Sequence, residues 1–107
     1  MDSLNVSDVA GQIGQEEESI ESLRGDAFSL EVMRFEPGDE DQAHAHREDE
    51  IYHVDSGTAK INVEGEIRSV SEGDVIHLEP GTDHHFTDFE DELVMTVIYA
   101  PAKGSEE

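Results

Sequence analysis

The sequence predicts an all-β domain, an antiparallel sandwich or barrel, on three observations. Apolar residues fall in short runs, turn residues separate the runs, and no segment between them has a convincing helical period. The runs are Phe28 to Phe35, Glu50 to Val54, Ala59 to Val63, Ile67 to Val70, Val75 to Leu78, His84 to Asp88 and Leu93 to Tyr99. Between them stand Pro37-Gly38, Asp55-Ser56-Gly57, Glu64-Gly65, Glu72-Gly73-Asp74 and Pro80-Gly81, the residues that hairpin turns use. Short strands without intervening helices bury their apolar faces by stacking sheet on sheet, and closure into a barrel removes exposed edges.

In chain order, residues 1–26 read as an acidic N-terminal extension. Within Ser7 to Leu23, the positions Val9, Ile13, Ile20 and Leu23 are loosely at helical spacing, which Gly11 and Gly14 weaken. A short helix is one expectation for this segment, and a strand exchanged with a neighbouring subunit is the other. Residues 27–100 carry the concentrated apolar runs and form the expected barrel, and residues 101–107 form a polar tail. At 107 residues the chain is sized for one core.

The net charge of −22, from 28 acidic residues against 6 basic ones, repels itself in a compact state at low ionic strength. Molar salt shortens the screening length to about 3 Å and relieves that repulsion. Only Lys60 and Lys103 are lysines, and a salt-adapted protein is the expectation. No basic patch can be assembled from six scattered cations, which argues against nucleic acid and anionic membrane surfaces as partners. There is no apolar run of spanning length and no basic, apolar leader at the start, so a cytoplasmic location is expected. The absence of cysteine excludes disulfides, thiolate metal sites and cysteine nucleophiles.

His44 and His46 are two apart, so on an extended strand both rings project from one face. Glu50 opens the next run after Arg47-Glu48-Asp49, and His84 opens a later one after Pro80-Gly81-Thr82-Asp83, where a barrel could bring it opposite the others. Imidazoles with one carboxylate suit a divalent transition ion such as Mn, Fe, Co, Ni, Cu or Zn. Gly38, His44, His46, Glu50 and Gly57 match G-x5-H-x-H-x3-E-x6-G at every fixed position. Gly73, Gly81 and His84 match G-x5-P-x-G-x2-H-x3-N, with Glu79 in place of the proline and Asp88 in place of the asparagine.

In these two motifs, spanning about half the chain, the sequence resembles a small single-domain cupin. The resemblance implies a jelly-roll barrel, the double-stranded β-helix, with one divalent metal held in the lumen by His44, His46, Glu50 and His84. It also implies a small-molecule ligand or substrate and a homodimer. Tyr52 shares a face with Glu50, and Phe86 with His84, so both are expected to line the same cavity. His77 is the third expected ligand contact, as a lumen-facing residue near the ion. His53 and His85 alternate away from the ligand faces and are not expected to bind metal.

Four protein ligands would leave an ion that prefers six with two open positions. That arrangement fits a mononuclear metalloenzyme, dioxygenase-like or isomerase-like, acting on a small oxygenated molecule. A non-catalytic metabolite-binding or sensing module and a structural barrel are the alternatives, since fold alone does not choose among them. No phosphate-binding glycine loop, dinucleotide turn or nucleophile elbow is present. If the charge is a salt adaptation, the midpoint of thermal unfolding should rise from low to molar KCl; a midpoint that falls would show an ordinary acidic protein.

Overall fold

The computed structural model describes residues 1–14, 18–41 and 45–104. Among these residues one short helix, α1 (Val6–Ala10), precedes eight strands: β1 (Ser19–Arg24), β2 (Ser29–Phe35), β3 (Asp49–Ser56), β4 (Thr58–Val63), β5 (Glu66–Ser71), β6 (Val75–Leu78), β7 (His84–Thr87) and β8 (Leu93–Ala100). They form a five-stranded sheet in the order β1-β2-β8-β3-β6 and a three-stranded sheet in the order β5-β4-β7, with every pairing antiparallel. This is the all-β double-layer architecture that the alternating runs predict. Among the described residues no helix is long and apolar enough to cross a membrane.

Side chains alternate across each strand, so pairing register determines which residues share the lumen. Ser29, Tyr99, Glu50 and Leu78 lie side by side on the inner face of the large sheet, and Glu31, Val97, Tyr52 and Ile76 form the next row. Met33, Met95 and Val54 follow, then Phe35 and Leu93. The lumen therefore has a polar end and an apolar end. At the apolar end Phe35 stacks on Phe89 with ring centroids 4.9 Å apart, and Phe35, Val54, Leu93 and Met95 are wholly buried. Each such side chain contributes about 1.5–3 kcal/mol by leaving water.

The outer face of the large sheet is covered in part by the N-terminal segment. Ala10 and Ile13 are buried against Val32 and Val94, with Leu4, Val6 and Val9 packed around them. Asn5 caps α1 by accepting the Asp8 N–H at 3.0 Å. Arg34 on β2 donates to the Ala10 carbonyl at 3.2 Å and so ties the end of this segment to the sheet. Within Ser7 to Leu23, the structure thus holds a helix of five residues at one end and a strand at the other, and that strand pairs with β2 of its own chain.

Two glycines show how different demands select the same residue. Gly65, at φ 92° beside Glu64 at φ 51°, makes a two-residue hairpin turn between β4 and β5, where both central residues need positive φ. Gly57, at φ 91°, joins β3 to β4 beneath the Glu92 backbone, and a methyl group there would collide with the Glu92 carbonyl oxygen. Around Gly65 no atom would meet the added methyl. Gly65→Ala should cost about 1 kcal/mol from backbone strain alone, whereas Gly57→Ala should cost on the order of 3 kcal/mol from strain and collision together. Urea unfolding of the two variants tests this, and equal losses would contradict it.

Candidate metal centre

The polar end of the lumen brings His46, Glu50 and His84 together, with one potential ligand atom from each within 4.8 Å of the others. Glu50 enters from β3 and His84 from the first position of β7, in the facing sheet. His46 precedes β3, and its carbonyl accepts the Gly81 N–H at 2.7 Å, so the turn that leads to β7 is bonded directly to the segment that carries the first motif. Asp41 accepts the Phe86 N–H at 2.8 Å and anchors the same loop on β7. The fourth expected ligand, His44, lies outside the described residues.

Glu50 Oε1 is 3.5 Å from His84 Nε2 and 3.8 Å from His46 Nε2. Both Glu50 and His84 are 1% exposed. His84 Nδ1 lies 2.9 Å from the Thr82 carbonyl, which can only accept, so this nitrogen carries a proton and Nε2 faces the lumen. The Tyr52 hydroxyl is 3.0 Å from Glu50 Oε1 and 3.1 Å from His84 Nε2. Tyr52 has one proton to give, and two acceptors compete for it when His84 is neutral. A proton on His84 Nε2 would pair it with the Glu50 carboxylate, and the same donor set has the chemistry of a divalent-ion site. Ligand atoms about 2.1 Å from a common ion stand about 3.0–3.5 Å apart, and the two separations from Glu50 Oε1, 3.5 and 3.8 Å, lie at or just beyond that range.

Electrostatics follow from the same contacts. Burial pushes the Glu50 carboxyl up, but the His84 hydrogen bond and charge, the His46 charge and the Tyr52 hydroxyl outweigh it and hold the group below its ordinary value. Burial pushes His84 down, but the Glu50 hydrogen bond, the Thr82 carbonyl and the charges of Glu50 and Asp41 outweigh that and raise it. Burial and nearby carboxylates push both Tyr52 and Tyr99 far up, so their hydroxyls stay protonated. Tyr99 meets His46 edge to face, with centroids 5.4 Å apart.

The other expected contacts divide. Tyr52 and Phe86 are both in the lumen, 1% exposed, with ring centroids 5.1 Å apart in a T-shaped arrangement. His77 is not in the lumen, which corrects that part of the expectation; it lines the open cavity between the edges of β5 and β6 instead. The β3–β6 register pairs His77 with outward-facing Ile51 and turns Ile76 and Leu78 inward, and His77 bonds Asp49 at 2.8 Å on the exposed side. His53, also outward, bonds Asp55 at 3.0 Å. Between the edges of β5 and β6 lies an open cavity of about 480 Å³ with an apolar floor of Ile61, Val63, Val70, Ile76 and Leu78. Four of these floor residues pair across strands with Phe86, His84, Tyr52 and Glu50, so the cavity is one strand removed from the cluster. Sequence reasoning did not single out Thr82, whose carbonyl orients His84; only its place two residues before a candidate ligand could have marked it.

A double-stranded β-helix with histidines and a glutamate converging inside one end defines a small barrel with a potential metal-binding lumen. Residues 31–99 match the cupin domain model, and the chain belongs to that family. It is 30% identical over 85 residues to uncharacterized protein SCO3923 of Streptomyces coelicolor, covering 79% of this chain and 81% of that one. The structure of TT1209 from Thermus thermophilus superposes with a TM-score of 0.84 at 18% identity, covering 95% of this chain and 99% of that one. A Klebsiella pneumoniae conserved protein with a double-stranded β-helix domain superposes at 0.81 with 22% identity, over 94% and 90% of the two chains.

The pH dependence of the ion-free protein follows from the signs of the two shifts. Glu50, lowered, contributes stability above its ordinary value of 4.5 and loses it as pH falls through its folded value. His84, raised, contributes fully below 6.5 and loses it as pH rises through its folded value. With a chelator present, the stability gap between the native protein and Glu50→Gln should be widest between 4.5 and 6.5 and narrow as pH rises through the folded His84 value. A gap that does not narrow at any alkaline pH at which the fold survives in urea unfolding would contradict the pairing.

Proposed function

We propose that this cupin binds one divalent transition ion through His44, His46, Glu50 and His84 and uses it to hold a small oxygenated molecule in the lumen, as a mononuclear metalloenzyme of the dioxygenase-like or isomerase-like kind. The observation that carries this reading is the convergence of His46, Glu50 and His84 within 4.8 Å at the polar end of the lumen, with Thr82 fixing the His84 tautomer so that Nε2 faces Glu50 and Tyr52. When bound, such an ion supplies Lewis acidity, or a place where a substrate and oxygen can meet. The chain supplies the rest. Thr82 and Tyr52 orient His84 and Glu50, Phe86 packs Tyr52 in place, and burial keeps bulk water from the pair. Glu50 is the group able to take a proton from a bound molecule and Tyr52 the group able to donate a hydrogen bond to it.

A non-catalytic metabolite-binding module is the second reading, favoured by the open cavity one strand from the cluster, where Glu66, Arg68, Asp74 and His77 surround the apolar floor and whose size falls within the range of small-molecule sites. The same proposal includes a salt-adapted cytoplasmic protein, supported by the net charge of −22, and a homodimer, with residues 27–100 as the barrel unit. Mass spectrometry of native protein prepared at high salt should find one ion per chain. That ion should be lost in the His44→Ala/His84→Ala variant, and its affinity should fall about 10–100-fold in Tyr52→Phe, which removes an orienting hydroxyl. A native protein that takes up no ion after reloading would overturn the metal reading and leave a binding or structural barrel.

A further inference from the structure

Among the described residues, two buried carboxylates at the polar end of the lumen, Glu31 and Glu48, are not used by the His46–Glu50–His84 cluster. Glu31 and Glu48 are 5% and 4% exposed. Their partners come from the segment after β8. Lys103 Nζ lies 3.3 Å from Glu31 Oε2, and the Gly104 N–H donates to Glu48 Oε2 at 3.0 Å. The Lys103 N–H donates to Ser29 Oγ at 2.9 Å, and Arg24 donates to the Lys103 carbonyl at 3.2 Å. The Lys103 ammonium also stands 5.1 Å above the centre of the Tyr99 ring, whose edge meets His46.

A buried carboxylate beside an aromatic face is a recognition site for an organic ammonium group, because ion pairing and the ring quadrupole act on the same charge. We infer that Glu31 and Tyr99 form an ammonium-binding subsite next to the histidine–glutamate cluster, that Lys103 is its internal occupant, and that the natural ligand is a small organic ammonium compound that displaces Lys103. Glu31 is fixed within β2 between two paired strands, whereas the Lys103 side chain is 40% exposed. The 3.3 Å separation exceeds the roughly 2.7–2.9 Å of a well-made charged hydrogen bond, so an untethered ammonium can approach Glu31 more closely than Lys103 does. Glu48, at the same end of the lumen and outside the histidine–glutamate cluster, opposes an anionic group at this subsite. Placement of the ligand's other end at the ion rests on the proposed metal centre; ammonium binding does not.

The chain has no tryptophan and only two tyrosines, Tyr99 in the subsite and Tyr52 in the histidine–glutamate cluster, so intrinsic fluorescence reports on this end of the lumen, and a Tyr52→Phe background isolates the Tyr99 signal. Methylammonium chloride, exchanged for KCl at fixed ionic strength, is titrated into chelator-treated and metal-loaded full-length protein. Lys103→Met, which frees Glu31, should bind methylammonium at least about tenfold more tightly than the native chain and melt at a higher temperature in its presence. Glu31→Gln/Lys103→Met, which removes both charges, should lose both responses, and sodium acetate should produce neither in any variant. Should Lys103→Met not fold without the probe, Lys103→Gln, able to hydrogen-bond Glu31, carries the same comparison. Equal methylammonium responses in the single and double variants, or a response matched by acetate, would overturn the subsite. Ammonium binding in a chain that takes up no metal would leave the subsite standing and remove the ion.

Discussion

The alternation of β3 is the constraint on which the rest of the molecule depends. Glu50, Tyr52 and Val54 face inward, and they belong successively to the metal-centre candidate, to its hydrogen-bonded support and to the apolar core. A slip of one residue in the pairing with β8 would turn all three outward together and bring Ile51, His53 and Asp55 into the lumen. The core therefore enforces the site. Val54 cannot remain buried against Met95 unless Glu50 remains opposite Tyr99, because one strand carries both.

The large sheet grades from Ser29, Tyr99 and Glu50 at one end to Phe35 and Leu93 at the other, and this gradient gives the lumen one reactive end. Burial is costly for each polar group there unless a partner is supplied, and the partners come from outside the two sheets. Thr82 serves His84 from a turn, and the segment after β8 serves Glu31, Glu48 and Ser29. The apolar end needs no such help. The chain segments least like regular strand are thus the ones that make the polar lumen tolerable.

Much of this was legible in the sequence, and the failures have physical causes. The runs from Phe28 onward fall on strands β2 to β8, with ends displaced by no more than two residues, because their alternation and turn residues are local signals. Glu50 with Tyr52, and His84 with Phe86, share faces for the same reason. β1 was obscured because its register shifts between Glu21 and Leu23, which spaces Ile20 and Leu23 three apart and imitates a helical period. Alternation shows that His77 opposes Ile76 and Leu78 but not which set faces in; only the register against β3 decides. The contact of Lys103 with Glu31 joins β2 to the segment after β8, far apart in the chain, and leaves no mark in local pattern. The departure at Asp88 is mild in backbone terms. Its φ of 57° lies in the left-handed region that asparagine and aspartate both tolerate.

The distribution of the few basic residues bears on what the lumen can accept. Arg34 holds Glu36, Glu92 and the Ala10 carbonyl, Arg24 holds Glu21 and the Lys103 carbonyl, and Lys60 reaches Asp88. Exposed pairs of this kind are worth about 0–1 kcal/mol each, so their value lies in joining segments to the barrel more than in net stability. In a chain with 28 carboxylates, cations settle where carboxylates converge, and each one so engaged is unavailable to a negatively charged ligand. Lys103 is the cation that settles at the polar end of the lumen, and it does so by neutralising Glu31. With Glu31 engaged by Lys103 and Glu50 by His84, Glu48 is the buried carboxylate there whose partner among the described residues is a backbone N–H and not a cation.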